Sequence, residues 1–257
     1  MHVIATMIQK GGTGKTTSTA ALASGLTSSG KNVLLVDLDP QQNLSFAEGL
    51  DVLNIPATLY EVWKGLSSLE DAIQHISLQL HIITGGLSLT SADFEFSNLV
   101  GREQLLKRNL NELSNRYDYC LIDCPPSLGL LAMNAATAAN NILIPITVDA
   151  LAIQGLTQLW DFISNIKIYC NSDLSIVGIL LTQYDPRTMT TKGLEDQITH
   201  FSQLVGTRVF NAKIHKSQAI RTAQATQTTD VFYKSVKAAA DYRDFTEELL
   251  NIIEGDK

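Results

Sequence analysis

The chain has 257 residues, of which 45% are hydrophobic and 18% are charged, and its formal net charge is −7. A chain of this size can bury one large core without disulfides or structural metals, and its acidity excludes a protein that is positively charged over its whole surface. Any nucleic-acid contact must therefore be a local basic patch.

Short runs rich in Val, Ile and Leu alternate with helical patterns along the chain. The predicted strands are 3–8, 32–37, 80–84, 119–123, 141–145 and 176–182. The predicted helices are 15–28, 103–113, 151–168, 190–204 and 237–253. This alternation is typical of an α/β fold with a doubly wound, mostly parallel sheet flanked by helices. Residues 49–101 have the weakest pattern, and we expect residues 1–257 to form a single domain.

A glycine-rich segment, KGGTGKTT at residues 10–17, lies between the first predicted strand and the first predicted helix. Glycines allow backbone N–H groups to point inward at a phosphate, and the helix N-terminus adds partial positive charge. Lys15 would neutralise phosphate oxygens, and Thr16 would offer its hydroxyl to Mg²⁺. The segment predicts a P-loop that binds ATP with Mg²⁺ through Lys10, Gly11, Gly12, Thr13, Gly14, Lys15, Thr16 and Thr17.

The loop departs from the ordinary Walker pattern, because Gln9 replaces a glycine and a second lysine, Lys10, opens the motif. In this respect the sequence resembles the deviant Walker A family of P-loop NTPases that contains ParA, Soj and MinD. The resemblance implies that Lys10 reaches across a dimer interface to the partner's nucleotide. It also implies an ATP-dependent homodimer in which Lys10 and Lys15 are catalytic.

Three aspartates lie at the ends of predicted strands, where open α/β sheets place their ligands. GKNVLLVDLDPQQN, residues 30–43, resembles the second strand of the family and carries Asp37 and Asp39. The resemblance assigns to Asp39 the positioning of the attacking water and a place in the Mg²⁺ shell. YDYCLIDCPPSLGLLAMNA, residues 117–135, resembles the Walker B strand and the following switch segment, so that Asp123 also approaches the metal.

A basic region follows the last predicted strand. GILLTQYDPRTMTT, residues 178–191, resembles the family stretch that ends in a DNA-contacting arginine, here Arg187. Six basic residues stand against two acidic ones between positions 187 and 229. Such a patch holds phosphates without reading sequence, which predicts nonspecific binding of double-stranded DNA. The predicted DNA contacts are Arg187, Lys192, Lys213, Lys216 and Arg221.

The base of the nucleotide is predicted to lie beside Gln183 and His215. Gln183 follows a strand at the position that faces the base in the family. The family's Ile-Pro-Arg-Asn-x-Arg loop is replaced here by IHKSQAIR, residues 214–221, in which His215 stands for the proline and Lys216 for the arginine. This loop is the clearest departure from the family pattern.

The resemblance implies a DNA partition ATPase with slow hydrolysis that a ParB-like centromere-binding protein stimulates. The chain begins at its first predicted strand, so we expect no N-terminal helix-turn-helix domain. Three cysteines without paired zinc spacing and the lack of a long apolar run indicate a cytoplasmic protein without membrane contact. The DNA binding implied by the resemblance would associate it with the nucleoid.

Two alternatives stay open at this point. A MinD-like membrane-positioning ATPase shares every phosphate-site motif, although the acidic segment 241–257 is unlike a basic membrane-binding helix. A P-loop enzyme with a small-molecule or redox role, such as dethiobiotin synthase or nitrogenase iron protein, lacks a supporting substrate motif or cluster-ligand spacing.

Overall fold

The computed structural model describes residues 1–187, 189–225, 232 and 237–255, which form a central sheet covered by helices on both faces. The strands are β1 His2–Thr6, β2 Val33–Asp37, β3 Ile73–His75, β4 Leu80–Thr84, β5 Tyr119–Asp123, β6 Asn141–Thr147 and β7 Ser175–Thr182. Their order across the sheet is β3-β4-β2-β5-β1-β6-β7. All neighbouring pairs are parallel except β3 with β4. The predicted fold class is confirmed.

Most of the helices lie between successive strands, and the last three follow β7. The helices are α1 Lys15–Ser28, α2 Asn43–Ala47, α3 Leu59–Trp63, α4 Ala92–Glu95, α5 Leu105–Glu112, α6 Leu130–Ala138, α7 Ala152–Tyr169, α8 Met189–Leu204, α9 Gln218–Ala225 and α10 Lys237–Gly255. Helices α1 and α10 pack together on one face of the sheet, and α5 to α8 contact one another in succession on the other.

The strands read as continuous apolar runs because both of their faces are buried. In β5, Cys120 and Ile122 pack into the core on the α5–α8 face, whereas Tyr119 and Leu121 pack into the core on the α1 and α10 face. Strand β2 alternates in the same way. This double burial is the reason that the six predicted strands are all present, with ends that differ by at most two residues.

Strand β3 and five helices, α2, α3, α4, α6 and α9, were not predicted from the sequence. Strand β3 has only three residues and includes Gln74 and the exposed His75, so its pattern is too short to detect. Helix α6 is rich in alanine and buried on most of its surface, so it lacks an amphipathic period. The weakly patterned segment 49–101 contains β3, β4 and several short helices, and Asp93 from α4 accepts a 2.7 Å hydrogen bond from the N–H of Leu130 at the start of α6.

Candidate functional site

The phosphate loop lies between β1 and α1, at the carboxyl edge of the sheet. Gly12 and Gly14 have φ angles of 75° and 89°, in the left-handed region that glycine adopts readily. Thr182, the last residue of β7, donates its hydroxyl to the carbonyl of Thr13 at 2.7 Å. The Lys15 ammonium donates to the carbonyl of Lys10 at 3.1 Å. The lysine is thus folded back over the loop, beside the N-terminus of α1, where an anion would be bound.

Two buried carboxylates lie side by side next to this loop. Asp37 ends β2 and Asp123 ends β5, and the two residues are opposite each other in the parallel pairing of these strands. The hydroxyl of Thr16 donates to Asp123 Oδ2 at 2.6 Å, and Ser45 donates its N–H and hydroxyl to Asp37 Oδ2 at 2.8 Å each. The Oδ1 atoms of both aspartates are buried and have no hydrogen-bond partner among the described residues.

The environment of these carboxylates favours a cation. Burial raises the pKa of Asp37 to about 6, although the hydrogen bonds from Ser45 act to lower it. Burial also raises the pKa of Asp123 well above its usual range, and the neighbouring charge of Asp37 adds to the effect. A cation placed between these groups would offset both penalties.

The donor set fits Mg²⁺, which prefers oxygen ligands and keeps several of its waters. Thr16 offers a hydroxyl, and the unpaired Oδ1 of Asp123 lies in the same cluster. Asp39 is half-buried two residues after β2, its Oδ1 accepts the N–H of Gln41 at 3.0 Å, and its charge acts on Asp37 and Asp123. Of the three predicted metal residues, Thr16 and Asp123 are in direct contact, and Asp39 is close enough for its charge to act on Asp123.

The raised pKa of Asp37 predicts a stability gain for Asp37→Asn. An acid whose folded pKa exceeds its unfolded value of about 4 destabilises the fold as pH rises from about 4 to about 6. Without nucleotide or Mg²⁺, we expect the variant to gain up to about 3 kcal/mol of unfolding free energy at pH 7 and nothing below pH 4. Denaturant titrations at several pH values measure this.

Asp173→Asn, at an exposed loop position, is the matched control and should change stability little at any pH. A less stable Asp37→Asn at pH 7 would contradict the argument, because it would show that the ionised carboxylate is favoured in the metal-free protein.

Lys10 is held within its own chain. Its ammonium forms an ion pair with the carboxylate of Asp149 and donates to the hydroxyl of Thr147 at 3.3 Å. Partial burial opposes ionisation of Asp149, but the hydrogen bonds from Lys10 and Thr147 hold the pKa of that carboxyl below its usual range. Asp149 was missed by the sequence analysis, although its place just after β6, the neighbour of β1, was a usable signal.

Known proteins have similar sequences over most of this chain. The family model described as an AAA domain matches residues 1–176. Soj of Bacillus subtilis is 36% identical over 84% of this chain and 87% of its own length. The chromosome partitioning protein ParA of Myxococcus xanthus is 41% identical over 72% of this chain and 66% of its own. The chain belongs to the Soj/ParA family of P-loop ATPases.

Solved structures extend the comparison to the whole chain. Cobyrinic acid a,c-diamide synthase from Mycobacterium smegmatis, solved with bound ADP and magnesium, matches with a TM-score of 0.87 and 32% identity over 100% of this chain and 96% of that one. The cell division ATPase MinD from Pyrococcus furiosus matches with a TM-score of 0.76 and 27% identity over 100% and 99%. The Soj/ParA fold is thus shared by proteins whose names indicate different roles.

The two residues that are predicted to contact the nucleotide base border a single pocket. Gln183 and His215 border a cavity of about 160 Å³ together with Gly12 and Gly14 of the phosphate loop. The loop of His215 is fixed against β7, because Ile214 N–H donates to the carbonyl of Leu181 at 2.9 Å. The departure from the Soj/ParA loop pattern therefore lies at the wall of this pocket.

The predicted DNA contacts differ in their surroundings. The Arg187 side chain is 87% exposed and pairs with Asp185 at 3.0 Å, and Lys192 and Lys216 are exposed. The Lys213 ammonium instead pairs with Glu195 and lies 4.6 Å above the ring of Tyr184. Because its ammonium is engaged in this ion pair, Lys213 is a weak candidate for a phosphate contact. Arg221 belongs to α9, but its side chain lies outside the described residues.

Proposed function

We propose that this Soj/ParA-family ATPase is a DNA partition ATPase, which forms an ATP-sandwich dimer and binds double-stranded DNA without sequence preference. Hydrolysis of ATP, stimulated by a ParB-like centromere-binding protein, releases it from DNA. The observation that carries the proposal is the two-lysine phosphate loop, in which Lys15 covers the loop and Lys10 lies at its rim. Residues 1–257 act as one ATPase domain in the cytoplasm, on the nucleoid.

The nucleotide is ATP with Mg²⁺. The backbone of residues 11–17 and the ammonium of Lys15 hold the phosphates, and Gln183 and His215 border the base. Thr16, Asp123 and Asp39 would hold Mg²⁺, partly through water. When bound, the metal neutralises charge on the phosphate oxygens. Solved nucleotide-bound relatives with magnesium support this assignment.

Hydrolysis depends on position more than on a strong base. Asp39 is anchored by the N–H of Gln41 and orients the attacking water, and Lys15 and the partner's Lys10 stabilise charge on the transferred phosphoryl group. A carboxylate is a weak base for water, so we expect slow intrinsic turnover. A partner that orders the site would accelerate it, which suits a timed switch.

Dimerisation requires a change at Lys10. Its ammonium is bound to Asp149 and Thr147 of the same chain, so it must leave both before it can reach a second protomer's nucleotide. The γ-phosphate of ATP offers a stronger charge partner than the half-exposed carboxylate of Asp149. Exchange of these partners would couple nucleotide binding to dimer formation.

The basic patch supplies the proposed DNA contacts. Arg187, Lys192, Lys216 and Arg221 follow β7 along the chain, and the first three carry exposed side chains. An exposed ion pair such as that of Arg187 with Asp185 is worth little, so phosphate can displace it. Two patches on one rigid dimer would hold DNA better than one.

The direct test is the ATPase rate with and without plain duplex DNA, repeated with the product of a neighbouring partition gene. We expect slow hydrolysis by the protein alone and a marked rise when DNA and that product are both present. Failure to bind ATP would overturn the proposal at its first step.

The same protein in a co-sedimentation assay separates the alternatives. Binding to anionic liposomes without binding to DNA would favour the MinD-like membrane-positioning role. The described part of α10 carries Asp241, Asp244, Glu247, Glu248 and Glu254 against Arg243 and Lys237, which opposes attraction to anionic lipid. None of the described helices has the length and hydropathy to cross a bilayer. Binding to neither would favour a small-molecule enzyme.

If Asp39 orients the attacking water, the Asp39→Ala variant should stay trapped in the ATP-bound dimer. Without the water-orienting carboxylate we expect hydrolysis to fall about 100-fold, whereas ATP binding and dimerisation persist. The variant should remain on DNA longer than the wild type, as dissociation kinetics after dilution would show. Asp51→Ala, at an exposed position, is the control. Normal hydrolysis by Asp39→Ala would assign the water to another residue.

A further inference from the structure

The pocket beside the phosphate loop has side chains whose donor atoms are already used within the chain. It has a volume of about 160 Å³ and is bordered by Gln183, His215 and Tyr242 as well as by loop glycines. A pocket of this kind selects ligands by the atoms that its polar side chains leave available. Those atoms can be derived from the internal hydrogen bonds.

Gln183 leaves an acceptor. Its Nε2 donates to the carbonyl of Gly12 at 2.7 Å, which fixes the amide and leaves Oε1 for the pocket. The residue has a φ of 50°, a left-handed conformation that is uncommon for a residue with a side chain. The backbone is therefore set to direct this amide at the phosphate loop.

In its neutral form with the proton on Nδ1, His215 also leaves an acceptor. Its Nδ1 lies 3.0 Å from Asp241 Oδ2, and the same carboxylate oxygen accepts the backbone N–H of His215 at 2.9 Å. An imidazole that donates from Nδ1 to a carboxylate has an Nε2 that accepts in the neutral ring. The Asp241 side chain is only 12% exposed, so this contact is shielded from water.

The helix that carries Asp241 is anchored next to the pocket. The next residue, Tyr242, is buried, and its hydroxyl lies 3.2 Å from the hydroxyl of Ser18 in α1. Thr246 of the same helix packs closely on Gly25 of α1. A Cβ atom added to Gly25 would lie 2.5 Å from the hydroxyl oxygen of Thr246. Asp241 is thus held on a rigid support and can orient the His215 loop.

We propose that Asp241 is a positioning residue for nucleotide recognition, which orients His215 so that its Nε2 and Gln183 Oε1 select a 6-aminopurine over a 6-oxopurine. The exocyclic amino group of adenine can donate a hydrogen bond to each of these two acceptors. An oxygen at position 6 is itself an acceptor, so it would face both acceptors with no proton to donate. The proposal rests on the nucleotide site proposed above and assigns its base specificity to a residue of α10.

The test compares three triphosphate ligands that differ in the group attached to the phosphates. ATP carries the amino group, inosine triphosphate carries an oxygen at that position, and tripolyphosphate lacks the base. Competition against a fluorescent ADP measures all three dissociation constants. In the wild type we expect ATP to bind about 10-fold more tightly than inosine triphosphate.

In Asp241→Ala we expect ATP affinity to fall about 10-fold and the preference over inosine triphosphate to disappear, with tripolyphosphate affinity unchanged. The KM for ATP should rise while kcat at saturation stays the same. Asp241→Asn retains one acceptor for the His215 N–H and should be intermediate. Asp244→Ala is the matched control, because Asp244 is exposed and lies less than one turn after Asp241 in the same helix. This variant should behave as the wild type.

An equal loss of ATP and tripolyphosphate affinity in Asp241→Ala would show a general structural role and overturn the proposal. An unchanged ATP preference would overturn it as well. Failure of the wild type to bind either ATP or tripolyphosphate would instead refute the proposed ATPase site, so the two failures are distinguishable.

Discussion

Lys15→Ala should lose useful ATP binding, whereas Lys10→Ala should bind nucleotide as a monomer and fail to form the ATP dimer. Lys15 lies over the phosphate loop and donates to the Lys10 carbonyl, so its ammonium is next to any bound phosphate. Loss of its charge-assisted hydrogen bonds should weaken ATP about 100-fold or more. The Lys10 ammonium is bound to Asp149 and Thr147, so its removal should spare binding within one protomer.

Nucleotide titration and size-exclusion chromatography with ATP measure the two effects separately. Lys31→Ala is the matched control, because Lys31 pairs with Glu254 at the opposite end of α1. Asp149→Asn should release Lys10 and form the dimer at a lower protein concentration. A normal dimer peak for Lys10→Ala would remove the reason to treat this loop as deviant.

ATP-dependent DNA binding should weaken about 10³-fold between 50 and 200 mM salt. Each phosphate contact adds about 0.9 to the slope of log affinity against log salt, and a dimer that uses about six contacts gives this loss. The structure leaves three or four basic residues per protomer for the patch, since Lys213 is paired with Glu195. Filter binding on unrelated duplexes at several salt concentrations measures the slope.

Replacement of Arg187 and Arg221 by alanine should lower the salt slope and weaken binding equally for all sequences, with ATP-driven dimerisation intact. Lys216→Arg should change little, because phosphate contacts depend on charge more than on donor geometry. Arg208→Ala is the control, since Arg208 is exposed but lies against the middle of β7, with its carbonyl bound to the N–H of Ile179. An ATP dimer with no retention on duplex at 50 mM salt would exclude the DNA role.

The fold and the family followed from local sequence patterns. The P-loop at residues 10–17 needs glycines, lysine and threonine at fixed spacing. Such a segment can be recognised from the local sequence, without knowledge of any distant contact. Buried parallel strands are apolar on both faces, so β1, β2, β4, β5, β6 and β7 were predicted. The roles of Asp39, Asp123, Gln183 and His215 stay predictions, although Asp123 contacts Thr16 and the last two border a pocket with Gly12 and Gly14.

Only the tertiary structure showed which partners the site residues have. Lys10 and Asp149 are 139 positions apart, His215 and Asp241 are 26 apart, and Gln183 and Gly12 are 171 apart. No local pattern encodes these pairs, because they depend on how β6, β7 and α10 pack around β1. The sequence by itself determined the chemistry of the phosphate loop and the class of the fold. Packing decided that Lys10 is held in its own chain, that Lys213 is paired with Glu195 and that Asp241 of α10 accepts hydrogen bonds from His215.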